Sequence, residues 1–448
     1  MIGPSEGDEE RAAPPVSAPL DVTALRRALD PNGLARALEK TWRPPFDGPP
    51  GPLACSIDRL HPHRDGVHVL DLTVRARGTE GPVLGRFFAE LAPTDVSKRY
   101  SRALARLSDD KRAQMDAVEV GSRLVLLEDL GLLLRARGLD ERIYPLGDLD
   151  RPWRLVEDCA DPDVGRRLRP PITAELLSHR YNKRCVIRVA GSPSFGLPPA
   201  HAIVKLYKRR AGQAAVVADL MRNLSQAAAI PGSRLQTPNL YGELRSWPGH
   251  LMEDVGGTSL DAYDASTAGA EYRLAGRLIA AFHAAPVEVA DSHDPDAEIA
   301  LIAPWVALAG AVFPGLATTF VTAESRVRAL LDRCRSFPQR LIHRDFHEKQ
   351  VLLRGGRAIL IDFDTVTMGD AAQDLGNFLA HLDLRELHQG VAAATPMAAF
   401  LDGYGTDFAG DLVRRTQAHR AATLLRLACI YAFSTRLGAL VPGLLGRI

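Results

Sequence analysis

The segment Leu341 to Asp364 constrains this chain more than any other stretch. It reads Leu341-Ile-His-Arg-Asp-Phe-His-Glu-Lys-Gln-Val-Leu-Leu353, then Gly355-Gly356, then Arg357-Ala-Ile-Leu-Ile-Asp-Phe-Asp364. Two short apolar runs flank a glycine pair, a pattern that predicts a β-hairpin. Asp345 begins a loop before the first strand and Asp362 ends the second, so the hairpin lets Asp345, Gln350 and Asp362 face one site. Phosphoryl transfer to a hydroxyl needs such a set. One carboxylate orients the alcohol and accepts its proton, while hard oxygens hold magnesium against the phosphates.

The rest of the chain is compatible with an enzyme of ordinary globular make-up. It has 448 residues, 46% hydrophobic and 24% charged, with a formal net charge of +1. That balance provides no global field to attract nucleic acid or an acidic membrane. Five scattered cysteines without a C-x-x-C pair fit reduced thiols in a cytoplasmic protein. The acidic, proline-bearing start, residues 1–20, reads as a disordered tail. From Ile299 to Ala323 no residue is charged, which is long enough to span a bilayer. Pro304 and Pro314 are expected to break it into short buried helices walling a pocket instead.

Asp21 to Thr41 reads as two helices broken at Asp30-Pro-Asn-Gly33, followed by a proline-glycine linker. Two β-rich blocks come next. The first contains Val67 to Val74 and Pro82 to Leu91. The second contains Glu175 to Tyr181, a turn at Asn182-Lys183-Arg184, Cys185 to Val189, and Ala202 to Tyr207. Either these are two unrelated meanders, or the first is a degenerate copy of the second, with Arg86 opposite Lys205. Leu235 to Leu244 and His250 to Val255 complete the strands before a mainly helical remainder.

His343-Arg-Asp-Phe-His-Glu-Lys-Gln350 and Ile361-Asp-Phe-Asp364 resemble the catalytic loop and metal motif of aminoglycoside phosphotransferases, choline kinases and protein kinases. The resemblance implies an α+β, protein-kinase-like bilobal fold: a small β lobe over 166–255 and a helical large lobe over 256–448. An α/β extension over 21–165 would precede them. It implies ATP and Mg2+ as cofactors, Asp345 as base, Asp362 as the main metal ligand, and Gln350 in the place usually held by Asn. Asp374, in Asp374-Leu-Gly-Asn377, would brace the catalytic loop. Lys205 would contact the nucleotide phosphates, under a covering loop at Gly191 to Pro199. The hinge would hold adenine through the backbone of Glu253 and Val255, with Met252 packed behind. Asp219, the single acid between Lys205 and Pro231, is the candidate partner for the lysine.

Only about ten residues separate Asp362 from Asp374, without an Ala-Pro-Glu motif, which favours the small-molecule branch over protein kinases. Gln at 350 also occurs in maltokinases, similar in length and in carrying an extension, although their segment after the metal Asp is not visible here. A sugar-like small molecule is the preferred acceptor. A Ser/Thr-bearing peptide, or a catalytically impaired nucleotide-binding role, are the alternatives. The acidic run Asp291 to Glu298 suits either a cationic acceptor or a helix start with Asp294 as cap and Pro295 at the first position. His283 and His347 are open to either substrate contact or packing. No nucleic-acid or membrane partner is expected, and nothing in the sequence sets the oligomeric state.

Overall fold

The computed structural model describes residues 21–448 except 43–51, 63–66, 77–80, 107–122, 141, 144–145, 147–148, 150, 162–163, 165–167, 193–199, 210–211 and 406–407. The tail 1–20, most of the first linker and most of the loop 191–199 therefore lie outside the described residues. The chain opens with α1 (Val22–Ala28) and α2 (Pro31–Thr41), each started by an aspartate. Asp21 accepts the Ala24 N–H at 2.8 Å and Asp30 accepts that of Asn32 at 3.0 Å, satisfying donors that a helix start leaves open.

The extension continues as β1 (Leu53–Pro62), β2 (His68–Ala76), β3 (Val83–Leu91), α3 (Val96–Arg106), β4 (Leu124–Leu127) and β5 (Leu132–Ala136). Its antiparallel sheet has the order β1-β2-β3-β5-β4. After the short α4 (Trp153–Glu157) come β6 (Thr173–Arg180), β7 (Arg184–Ala190), β8 (His201–Tyr207), α5 (Gln213–Ala228), β9 (Leu240–Glu243) and β10 (Gly249–Glu253). This second sheet has the order β6-β7-β8-β10-β9, the same plan, again with a helix between its third and fourth strands.

Register corrects the pairing of Arg86 with Lys205. The first pairs between third and fifth strands are Leu91–Leu132 and Leu206–Gly249. Counting back one residue sets Glu90, not Arg86, in the place of Lys205. Glu90 is buried and bonded to Arg135 at 2.7 Å, with Arg99 of α3 at 3.7 Å and the Tyr181 hydroxyl donating to it. Apolar patterning alone could not detect this shift, because a slip of four residues leaves the same face inward.

The large lobe is built from β11 (Thr258–Ser259), α6 (Gly269–His283), β12 (Ser292–His293), α7 (Pro295–Val312), α8 (Ala317–Asp332), β13 (Gln339–Ile342), β14 (Val351–Arg354), β15 (Arg357–Leu360), β16 (Thr367–Asp370), α9 (Ala371–Gln389), α10 (Ala394–Tyr404), α11 (Asp411–Tyr431) and α12 (Val441–Leu445). β14 and β15 pair antiparallel across Gly355 and Gly356, both at positive φ, which is the expected hairpin.

One expectation fails in this region. Pro304 does not break the apolar stretch, because α7 runs through it as one helix of 18 residues. The buried face of that helix packs into the core. Ile299, Ile302, Val306 and Val312 join one core that also contains Leu25, Leu38 and Ile57 of the extension. Arg26 of α1 donates to the carbonyls of Val312 and Ala311 at 2.9 and 2.8 Å, closing the helix end. Burial against the extension thus offsets the hydrogen bond lost at proline. The start of α7 is as expected: Asp294 caps the Ala297 N–H at 2.8 Å and Pro295 takes the first position.

Ile143, Leu146, Leu155, Val156, Val164 and Leu168 pack on one face of the small-lobe sheet against Ile187 and Val204. They belong with that lobe rather than with the extension sheet. Deleting residues 1–165 should therefore yield insoluble protein, since it bares both this sheet face and one side of α7. The soluble fraction on expression measures the effect. A soluble, fully active fragment of 166–448 would overturn it.

Candidate active site

The catalytic hairpin is held by local sequence and one distant brace. The Asp374 carboxylate, at the start of α9, accepts the N–H groups of His343 and Arg344 at 2.7 Å each. His283 lies 3.0 Å from the same carboxylate through Nε2, and 3.1 Å from the Tyr404 hydroxyl through Nδ1. His283 is thus a buried support and not a substrate contact. Arg344 and Asp362 both have φ near +65°, a strained conformation for residues with a side chain. The strain is over-determined. His343 Nε2 lies 2.9 Å from the Ile361 carbonyl, and Thr365 donates to the His343 carbonyl at 2.8 Å. On the far side of the loop, Arg385 donates to Glu348 at 2.6 Å and Asn377 donates to the Phe346 carbonyl at 2.8 Å.

Lys205 reaches across from β8 to Asp362 at 2.7 Å and Asp364 at 2.5 Å. Arg184 grips Asp362 through both terminal nitrogens at 3.1 and 3.0 Å and also contacts Asp364. The Tyr207 hydroxyl donates to Asp364 at 2.8 Å. Burial alone would raise the Asp362 carboxyl, but Lys205 and Arg184 hold it well below the usual carboxylate range. Burial in turn pulls the Lys205 ammonium down to about 8, with Asp362 opposing the drop.

Asp345 is partly exposed, and its side chain makes no hydrogen bond or ion pair among the described residues. Gln350 is buried, and its side-chain nitrogen lies 3.4 Å from Nε2 of His347, whose ring stacks on His381. Met252 packs against the core shared by α5 and the large lobe. Glu253 ends β10 with its carboxylate on Asn239 at 2.7 Å, and the Val255 carbonyl accepts from Arg354 at 2.6 Å. These three residues lie where the chain passes from the small-lobe sheet to the large lobe.

One placement from sequence is corrected. Asp219 is exposed and bonded to Arg222 at 2.6 Å, so it does not partner Lys205. The lysine takes Asp362 and Asp364 instead. Most of the loop Gly191 to Pro199, read as the phosphate cover, lies outside the described residues. Ala190 pairs with His201, whereas the turn Tyr181 to Lys183 abuts the Tyr207 end, next to Lys205. That turn is fastened by Asp140, which accepts the Asn182 N–H at 2.7 Å and lies 2.9 Å from His179 Nε2. Sequence reading missed Arg184, Tyr207 and Asp364. The only local signals were a basic residue at a hairpin turn and the second acid of Asp362-Phe-Asp364.

Residues 193–419 match the profile of the phosphotransferase enzyme family, just over half of the chain. The chain belongs to that family. The match spans the lysine strand, the catalytic hairpin and the Asp374 brace, and leaves the extension outside. No curated protein matches the chain. Among solved structures, a choline/ethanolamine kinase family protein from Mesorhizobium loti is 15% identical, with 66% of this chain and 92% of that one covered and a TM-score of 0.47. Choline kinase LicA from Streptococcus pneumoniae is 13% identical, covering 62% and 94%, with a TM-score of 0.43. A putative aminoglycoside phosphotransferase from Ralstonia eutropha is 14% identical, covering 66% and 94%, with a TM-score of 0.41.

Proposed function

We propose that this phosphotransferase moves the γ-phosphoryl group of ATP, with Mg2+, to a hydroxyl of a small molecule. The observation that carries the reading is the convergence of Lys205 on Asp362, from two lobes, beside a catalytic-loop carboxylate without a partner among the described residues. Asp345 would accept the proton of the attacking hydroxyl. Lys205 and Arg184 would hold phosphate oxygens, as cations already fixed at the site. Asp362, with Gln350 and the neighbouring Asp364, would hold the magnesium. The donor set fits that ion, since magnesium accepts a few hard oxygens and keeps its waters. When bound, the ion supplies positive charge where phosphate charge develops.

The acceptor side favours neutral or anionic hydroxyl compounds, sugars among them, over polycations. Arg180 lies near enough to Asp345 and Asp362 to feel both, together with the repulsion of Arg184 and Arg59. Burial and that repulsion push its guanidinium down. A polycationic aminoglycoside would add to this repulsion. The test is ADP release from MgATP across sugars, sugar acids, aminoglycosides and a Ser/Thr peptide. Turnover confined to the aminoglycosides or the peptide would overturn the acceptor class.

Position 350 reports on the metal site. Gln350→Asn shortens the reach by one methylene and should cost about tenfold in turnover, as for a slightly displaced ligand. Gln350→Ala removes the oxygen and should cost more, with partial recovery at high Mg2+. A magnesium titration of ADP formation decides. Wild-type behaviour in both variants would put Gln350 outside the metal's ligands.

A further inference from the structure

We infer that the extension holds a second ligand site, apart from the catalytic cleft, for an anionic, hydroxyl-bearing small molecule, a sugar phosphate being its simplest occupant. The site is a cavity of about 290 Å³ on the face of the extension sheet turned away from α1 and α2, with His179 of β6 and Arg436 beyond α11 on its rim. Four arginines, Arg75, Arg86, Arg137 and Arg436, line it against two aspartates, Asp58 and Asp71.

Both acids are already engaged. Asp58 accepts the Thr73 hydroxyl at 2.7 Å, and one oxygen of Asp71 lies 2.9 Å from His61 Nε2. The arginines, by contrast, are hardly neutralised. The Arg86 side chain makes no hydrogen bond or ion pair among the described residues. Arg75 and Arg137 donate only to carbonyls, those of Gly81 at 3.0 Å and Leu177 at 3.3 Å. Arg436 approaches Asp58 no closer than 4.0 Å. The Arg137 N–H donates to the Arg86 carbonyl at 2.8 Å, so the backbone fixes two like charges side by side at some cost. Burial and the repulsion of Arg86 accordingly push the Arg137 guanidinium down, with Asp71 only partly opposing the drop.

An anion held by these forks would relieve that repulsion, and guanidinium geometry matches phosphate oxygens in pairs. The hydroxyl requirement comes from the other atom of Asp71. Its Oδ1 is buried with no hydrogen-bond partner among the described residues. An unpaired acceptor on a residue that lines the cavity calls for a ligand hydroxyl as donor. The volume is near the lower end for ligand pockets and suits a phosphorylated monosaccharide. The site is not a second copy of the nucleotide cleft, because Glu90 occupies the lysine position.

This inference is independent of the proposed reaction and is tested by binding alone. Calorimetric titration of the full chain would use glucose 6-phosphate and ribose 5-phosphate as probes, with glucose and inorganic phosphate as comparators. Expected are millimolar or tighter binding of a sugar phosphate, none of glucose, and binding of phosphate weaker by about tenfold. Arg86→Ala and Arg137→Ala should each weaken the sugar phosphate by about tenfold or more. Arg86 is exposed, so its removal leaves the fold intact, and Arg86→Glu should abolish binding. Asp345→Asn and saturating MgATP should leave the affinity unchanged. Absence of binding by both probes, wild-type affinity in Arg86→Glu, or displacement by MgATP would each overturn the site.

Discussion

Asp345→Asn is expected to lower turnover by about 10²- to 10⁴-fold while nucleotide affinity stays within a few-fold. The loss is that of a general base. The Asp345 side chain stands free of hydrogen bonds and ion pairs among the described residues, whereas every other candidate acid is committed: Asp362 and Asp364 to Lys205 and Arg184, and Asp374 to the loop backbone. Asparagine keeps the shape and can still hydrogen-bond the acceptor, but it cannot take the proton. Because no fold contact is removed, the melting temperature should hardly change. Single-turnover transfer and nucleotide titration on the same preparation separate chemistry from binding. Near-wild-type transfer in the variant would remove Asp345 from the base role.

What the sequence revealed and what it hid divide along contact distance. The hairpin, its glycine turn, the capped start of α7 and the Asp374 motif are local patterns, and all were legible. The contacts of Asp362 were not. Arg184 and Lys205 come from strands more than 150 residues upstream, and only the strand register brings them there. Asp219 misled for a related reason. It occurs on the expected helix, but its side chain points outward to Arg222, which also donates to Glu243. Helix continuity at Pro304 depended on a partner, the extension, whose docking no local rule encodes. Arg86 shows the same limit: its strand was recognised, but its place in the register was not.

The second large effect is expected from Asp362→Ala, and it should appear in stability as well as in nucleotide binding. Asp362 is the shared anion between Lys205 and Arg184, so its removal leaves two cations facing Asp364 alone. Breaking a buried pair costs about 3–5 kcal/mol, and the surviving Asp364 should keep the loss near the lower figure. Its sign with pH follows from the shifts. The depressed Asp362 carboxyl contributes stability that is present above its unfolded value and lost as pH falls through the folded one. Lys205, lowered to about 8, works in reverse: burying its charge costs stability at neutral pH, and that cost fades as pH rises from about 8 towards its unfolded value. Asp362→Ala removes the attraction that opposes this drop, so Lys205 should lose its proton at still lower pH. Urea unfolding from pH 3 to 10 should thus show the variant least stable relative to wild type near neutrality, with the gap narrowing in acid. Magnesium-dependent binding of an ATP analogue should fall further than in Asp345→Asn. Equal nucleotide affinity and an unchanged unfolding midpoint at pH 7 would separate Asp362 from both the metal and the ion cluster.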